Sequence, residues 1–243
     1  MSQTIKRFWK EVHVVPSAVP PGLEIRLDGR SFRLPGGNPL IVASRALADR
    51  IAEEWRSIVP GAAFRTSDLP LTQMAGTQIE RIAPDRQQII GGLMAYGESD
   101  LLCYRATGTL GREQDALFDP ALDLFEARYG VRPPITRSLL PSHAGIEVQG
   151  AYAAALDGLD DAALTCAAVC APATGSLILA IGLAEGWIDV VSACAMTSVE
   201  ERHQMAQWGE DDALLQEMGR NADDISAALD FVTLSHEKAS NEA

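Results

Sequence analysis

The sequence has few cysteines and lacks the common motifs of catalysis. Four cysteines (Cys103, Cys166, Cys170 and Cys194) occur in 243 residues, and none forms a Cys-x-x-Cys pair. Their neighbours are mostly apolar, so we expect buried free thiols in a reducing compartment; zinc binding and a disulfide are the minor alternatives. There is no Gly-x-Ser-x-Gly elbow, no Walker loop and no Gly-x-Gly-x-x-Gly following a strand. The signatures of serine hydrolases, P-loop NTPases and dinucleotide-binding enzymes are therefore missing.

Positive charge is also scarce, and its distribution is uneven. The formal net charge is −13. After residue 184 there are thirteen acidic residues and only three basic ones, Arg202, Arg220 and Lys238. The last quarter of the chain therefore carries most of the net negative charge. Nucleic-acid binding needs clustered Lys and Arg, and this composition argues against it. An acidic end suits either solubility or a basic partner surface.

A long uncharged stretch covers residues 162–184, which is the length of a membrane span. Pro172 and Gly175 interrupt it, and acidic residues flank both sides. We therefore expect two short core helices joined near Pro172. Residues 1–12 show neither the apolar core of a signal peptide nor transit-peptide character, so we expect a cytoplasmic protein.

The first forty residues indicate strands and a hairpin. Asp28-Gly29 separates two alternating segments, and this dipeptide is a strong signal for a two-residue turn. The register should pair Leu27 with Arg30, Ile25 with Phe32, and Leu23 with Leu34 (and, on the other face, Glu24 with Arg33). An apolar face and a charge-paired face would result.

Helical patterns follow the hairpin. Ser44 should cap a first helix whose Leu47, Ile51 and Trp55 recur every four residues, and Asp119-Pro120 should begin a later one that ends at Gly130. Later helices are predicted at 147–159, 162–171, 175–186, 199–208 and 223–234, and the apolar segment 175–186 should be central. The predicted fold is α+β: a small β-rich N-terminal domain that includes the first helix (1–64), then a larger helical domain (65–243).

Glu200 and His203 form a Glu-x-x-His pair, the spacing found in di-iron carboxylate proteins. Such sites need a second pair, but His13, His143 and His236 have no acid three residues before them. A helix-capping box formed by Ser198 and Glu201 explains the same stretch more simply. A metal-dependent enzyme built on Glu200 and His203 remains an alternative.

Several stretches, in order, resemble one protein family over about residues 6–234. They include RFWKEV near the start, LDGR in the hairpin, and NPL before the first helix; AEEW, LPLT, DLLCYR and QWGE follow. This set resembles the assembly chaperone of F-type ATP synthase that acts on the α subunit of the catalytic head. The resemblance implies a molecular chaperone rather than an enzyme, with no cofactor and no bound metal.

The resemblance also implies a partner and a location. The partner would be the ATP synthase α subunit, held until it joins β, without stable membrane insertion. The location would be the bacterial cytoplasm, or the mitochondrial matrix for a processed eukaryotic form. A generic protein that binds apolar surfaces, without preference for α, is a second alternative.

The acidic segment near the C-terminal end is the predicted contact surface. Interfaces favour aromatic residues and Met in their centres, ringed by polar groups. The candidate partner-binding residues are Met205, Gln207, Trp208, Glu210, Asp211 and Asp212, with Glu210 the first to test. Trp55 continues an apolar helical stripe and should be structural. Arg7 and Phe8 could belong either to an edge strand or to an interface.

Overall fold

The computed structural model describes residues 5–138 and 144–237. The N-terminal part contains short strands arranged in two sheets. The strands are β1 (Ile5–Lys6), β2 (Val12–Ala18), β3 (Pro21–Leu27), β4 (Arg30–Ser31), β5 (Ile41–Val42) and β6 (Ala63–Phe64). Strands β2, β3 and β4 are antiparallel neighbours, β5 also pairs with β3, and β1 pairs with β6.

The predicted hairpin is confirmed at its turn. Asp28 and Gly29 have φ values of 50° and 75°, and Leu27 pairs with Arg30. Phe32 N–H donates to the Ile25 carbonyl over 3.1 Å. The prediction is wrong further along, where Leu23 pairs with Val42 instead of Leu34. Strand β4 is short, so the incoming strand β5 occupies that edge of β3.

Ten α-helices lie in the described part of the chain. They are α1 (Arg45–Ser57), α2 (Pro70–Thr77), α3 (Arg86–Glu98), α4 (Gly108–Tyr129), α5 (Ile146–Gly158), α6 (Asp161–Thr174), α7 (Leu177–Ala184), α8 (Val190–Thr197), α9 (Val199–Trp208) and α10 (Asp212–His236). Helix α8 was not predicted, and α10 is longer than predicted. The first helix is confirmed: Ser44 Oγ accepts a bond from Leu47 N–H, and Leu47, Ile51 and Trp55 are buried.

The prediction that Asp119-Pro120 begins a helix is wrong. Pro120 lies inside α4, and Gly130 ends that helix in the left-handed conformation at φ 73°. A proline there removes one backbone hydrogen bond. Burial of Phe118 and Phe125 on either side compensates, while Asp119 accepts a 3.1 Å bond from Arg105 instead of capping.

The uncharged stretch forms two helices, as expected, although the break lies at Gly175 and Ser176 and Pro172 remains inside α6. Every residue of α7 is buried. Helices α3, α4, α5, α6 and α8 all pack against it, which confirms that it is central. No helix in the described residues is long and apolar enough to cross a membrane.

The chain divides into two compact units. One comprises residues 1–85 and 230–243, and the other comprises 86–229. The domain boundary at residue 64 stays a prediction. Within the first unit, Glu54 of α1 accepts bonds from the N–H groups of Leu71 and Thr72 at the start of α2. The α+β class, with a small N-terminal antiparallel sheet followed by helices, is confirmed.

Candidate functional site

The Glu-x-x-His pair joins α9 to α4. Glu200 Oε1 accepts a 2.9 Å bond from Gln114, a buried side chain that also accepts from the Ala106 N–H over 2.6 Å. His203 Nδ1 lies 3.0 Å from Glu113 Oε2, and its Nε2 lies 2.8 Å from Gln207 Nε2. With the proton on Nδ1, the ring donates to Glu113 and accepts from Gln207.

These bonds occupy both nitrogens of His203, which leaves neither lone pair for a metal without breaking a contact. Among residues 5–138 and 144–237, no group of three or more His, Cys, Asp or Glu side chains could hold a metal ion. The geometry therefore gives Glu200 and His203 a structural role at the junction of α4 and α9.

The capping box predicted for Ser198 and Glu201 is wrong. Ser198 makes no side-chain cap bond because its hydroxyl donates to the Cys194 carbonyl over 2.6 Å. The same oxygen accepts from Arg202 Nε at 2.9 Å. Ser198 ends α8 and precedes α9 directly, so it back-bonds to the earlier helix.

A sharp corner joins α9 to α10. Gly209 ends α9 with φ 97° and ψ 168°, a backbone conformation that side chains with a Cβ rarely adopt. Asp211 then accepts bonds from the N–H groups of Ala213 (2.9 Å) and Leu214 (3.2 Å), so it caps α10. Asp211 therefore has a structural role in addition to the predicted one.

The corner presents an exposed aromatic ring beside acidic groups. Trp208 is 78% exposed, so it does not belong to the core of its compact unit. Glu210 and Asp212 are exposed, and Met205 is half-buried. Gln207 is exposed, although its amide contacts His203. The structure thus brings all six predicted residues to one corner; their binding of a partner stays a prediction.

A pocket of about 350 Å³ lies next to this corner, between α8, α9 and α10. Its lining includes Leu214, Met218 and Ile225 on one side and Glu201 on the other. Sequence reasoning missed it because residues of three helices form it, and no local spacing marks such a cavity.

In the other compact unit, Trp55 is the centre of an aromatic cluster. Its ring centroid lies 4.9 Å from that of Trp9 and 4.5 Å from that of Phe32, and its indole N–H donates to Thr72 Oγ1 over 2.9 Å. Trp55 is only 4% exposed. The structure thus places Trp55 in the core, in agreement with the structural role predicted for it.

Arg7 and Phe8 have different surroundings in the structure. The Arg7 guanidinium donates to the carbonyls of Trp9 and Lys10, so it ties the N-terminal segment together. Phe8 is 71% exposed and borders an apolar groove of about 640 Å³, which Phe32, Trp55 and other side chains line. Neither residue lies in a strand.

The cysteines are free. Cys103 is buried beside the charge of Asp100, and its pKa rises to about 12, mainly through burial. Cys166 and Cys170 share a face of α6 with their sulfurs 3.9 Å apart. Because its pKa is about 12, the Cys103 thiol is protonated at neutral pH and is a poor nucleophile.

Comparison with known proteins places this architecture in a family. The model of the family described as "ATP12 chaperone protein" matches residues 6–126. The mitochondrial protein atp12 of Schizosaccharomyces pombe is 25% identical over 224 residues, which cover 85% of this chain and 74% of that protein.

Solved structures agree with this match. The crystal structure of Atp12 from Paracoccus denitrificans is 30% identical with a TM-score of 0.86, and the match covers 95% of this chain and 98% of that one. A candidate chaperone from Agrobacterium tumefaciens is 32% identical with a TM-score of 0.87, over 95% and 86% of the two chains. Since similarity of sequence and fold extends over nearly the whole length, this chain belongs to the ATP12 chaperone family.

Proposed function

We propose that this protein is an assembly chaperone of F-type ATP synthase that binds the unassembled α subunit of the catalytic head until α joins β. Membership of the ATP12 chaperone family supports the chaperone activity. The resemblance of its ordered motifs supports α as the client. The proposed location is the bacterial cytoplasm, or the mitochondrial matrix for a processed eukaryotic form.

The observation that carries this proposal is the exposed Trp208 beside Glu210 and Asp212. A subunit of an obligate complex exposes a large apolar surface before assembly, and that surface tends to associate wrongly. A holding protein needs an apolar contact of its own, bordered by charges that set its orientation and its rate of association. The corner between α9 and α10 supplies both kinds of group.

The first experiment is a capture assay with separately produced α and β subunits. Selective capture of α, with suppression of its aggregation in light scattering during refolding, is the expected result. Capture of both subunits equally would favour a generic binder of apolar surfaces. Capture of neither would refute α as the client, and metal analysis of the purified protein would then test the enzyme alternative.

The second experiment maps the surface with Glu210→Lys. Glu210 is exposed, and none of the salt bridges among the described residues involves it, so the change should leave the fold intact. We expect binding of α to weaken about tenfold or more, which is about 1.4 kcal/mol. Asp223→Lys provides the matched control, because Asp223 is an exposed acid on α10 about three turns away from the corner. A folded Glu210→Lys protein that binds α normally would remove Glu210 from the site.

Glu210 is preferred over Asp211 for this test. Asp211 caps α10, so its replacement would change helix stability together with any contact. Trp208→Ala complements the charge reversal because it removes the exposed ring while the acidic groups remain. We expect it to weaken binding of α without lowering the stability of the chaperone by more than about 0.5 kcal/mol.

A further inference from the structure

The pocket between α8, α9 and α10 combines apolar walls with a carboxylate. Leu214, Met218 and Ile225 of α10 supply apolar surface, and Glu201 of α9 lies across from them. All the lining residues belong to one compact unit. Its volume of about 350 Å³ is near the lower limit of ligand pockets, which suits one side chain better than a large ligand.

Glu201 is unusual in this pocket because one of its oxygens lacks a donor. Oε2 is buried and has no hydrogen-bond partner among residues 5–138 and 144–237. A buried carboxylate oxygen without a donor is unfavourable, and native proteins seldom leave one. A cationic group that enters the pocket would supply the missing donor.

The charged residues that line the pocket give it a net negative charge. Glu217 adds a second carboxylate, while Arg202 adds one positive charge whose Nε already donates to Ser198 Oγ over 2.9 Å. Cys194 also lines the pocket, and burial raises the pKa of its thiol, so the thiol adds no charge at neutral pH. One negative charge in excess remains.

We propose that this pocket receives a lysine or arginine side chain of the bound polypeptide. The cationic head pairs with the Glu201 carboxylate, and the methylene stem packs against Leu214 and Met218. Long basic side chains commonly bury their stems in apolar surroundings while the charged head is paired. That this polypeptide is the α subunit rests on the proposed function. The preference of the pocket for a basic side chain does not depend on which polypeptide supplies it.

The first test uses small probes, so it is independent of any client. Nα-acetyl-lysine methylamide, which keeps its side-chain ammonium group, is titrated into the isotope-labelled full chain. Nα-acetyl-norleucine methylamide, which lacks the charge, is the matched control. We expect saturable shifts of the backbone amide signals of Glu201 and Met218 with the lysine probe only. In the Glu201→Gln variant, the lysine probe should no longer shift the amide signals of residues 201 and 218. Equal responses to both probes, or no response to either, would overturn the proposal.

The second test measures binding of the ATP synthase α subunit. Glu201→Gln removes the charge at nearly constant volume, and we expect it to weaken binding about 10- to 100-fold. Asp223→Asn is the control, since it removes an exposed charge from α10 outside the pocket. If both variants bind α as tightly as the wild type, a basic side chain of α does not use this pocket.

A second variant guards against loss of folding. Thermal stability of Glu201→Gln should equal or exceed that of the wild type, since a charge with an unpaired buried oxygen is removed. Gly219 also lines the pocket, and a Cβ there meets no atom within 4 Å, so Gly219→Leu keeps the carboxylate and adds an apolar side chain to the pocket wall. It should also weaken α binding. Failure of the wild type itself to bind α would refute the client and leave the probe titration to decide on the pocket.

Discussion

Asp100 provides a quantitative test of the core around α7. It is 1% exposed, and its carboxylate accepts bonds from Ser176 Oγ at 2.7 Å and from the N–H groups of Leu102 and Ile178 at 3.0 Å. These bonds fix the start of α7. Burial nevertheless raises the pKa of Asp100 from 3.8 to about 6, and the hydrogen bonds offset only part of that rise.

The direction of the pH dependence follows from this shift. The folded protein holds the proton of Asp100 more tightly than the unfolded chain does, so the contribution of Asp100 to stability is greatest at low pH. That contribution falls as pH rises from about 4 to about 6, and it is constant above that range. The full difference is about 3 kcal/mol, of which about 2 kcal/mol lies between pH 7.5 and pH 4.5.

The perturbation is Asp100→Asn, which cannot ionise. Urea unfolding of both proteins at pH 4.5, 6 and 7.5, followed by circular dichroism, gives the free energy of unfolding of each. We expect the variant to be less stable at every pH, because its NH₂ group faces donors, and the deficit to be about 2 kcal/mol larger at pH 4.5 than at pH 7.5. Asp223→Asn, at an exposed site, serves as the control. A deficit that does not change with pH would refute the account of Asp100.

Two further predictions concern the other compact unit and the corner. Trp55→Ala should lower the free energy of unfolding by about 3–5 kcal/mol in urea titrations, because its ring is buried among aromatic rings; a loss no greater than that of Trp208→Ala would contradict this core role. Gly209→Ala should cost about 1–3 kcal/mol in the same assay because its φ is 97°, whereas Gly91→Ala, exposed inside α3, should stabilise by up to about 1 kcal/mol. Equal effects at Gly209 and Gly91 would contradict the described corner.

Local chemistry accounts for the parts of the fold that sequence reasoning predicted correctly. Asp28-Gly29 adopts the positive φ angles of a tight turn, and Ser44 caps the first helix. The apolar character of residues 175–186 predicted a central helix, since such a surface is unfavourable in water, and the observed helix covers Leu177–Ala184. Each of these signals lies within a few neighbouring residues, so the sequence carries it directly.

The sequence-based errors arise where distant residues override a local preference. Pro120 is a strong local signal for a helix start, but burial of its neighbours against the core keeps α4 continuous through it. Ser198 has the type and spacing of a cap, yet the helix before it supplies the Cys194 carbonyl to its hydroxyl. In both cases a contact that no local pattern reveals decides the outcome.

The candidate site shows the same division. The sequence by itself determined that Met205, Trp208 and the acids after them lie together, because they are neighbours in the chain. Only the tertiary structure decided that Trp208 is exposed. It also decided that Gln114 donates a hydrogen bond to Glu200, which lies 86 residues further along the chain. It likewise decided that Glu201 faces a pocket formed by three helices. Burial and pairing depend on what packs against a residue, and that information is spread over the whole chain.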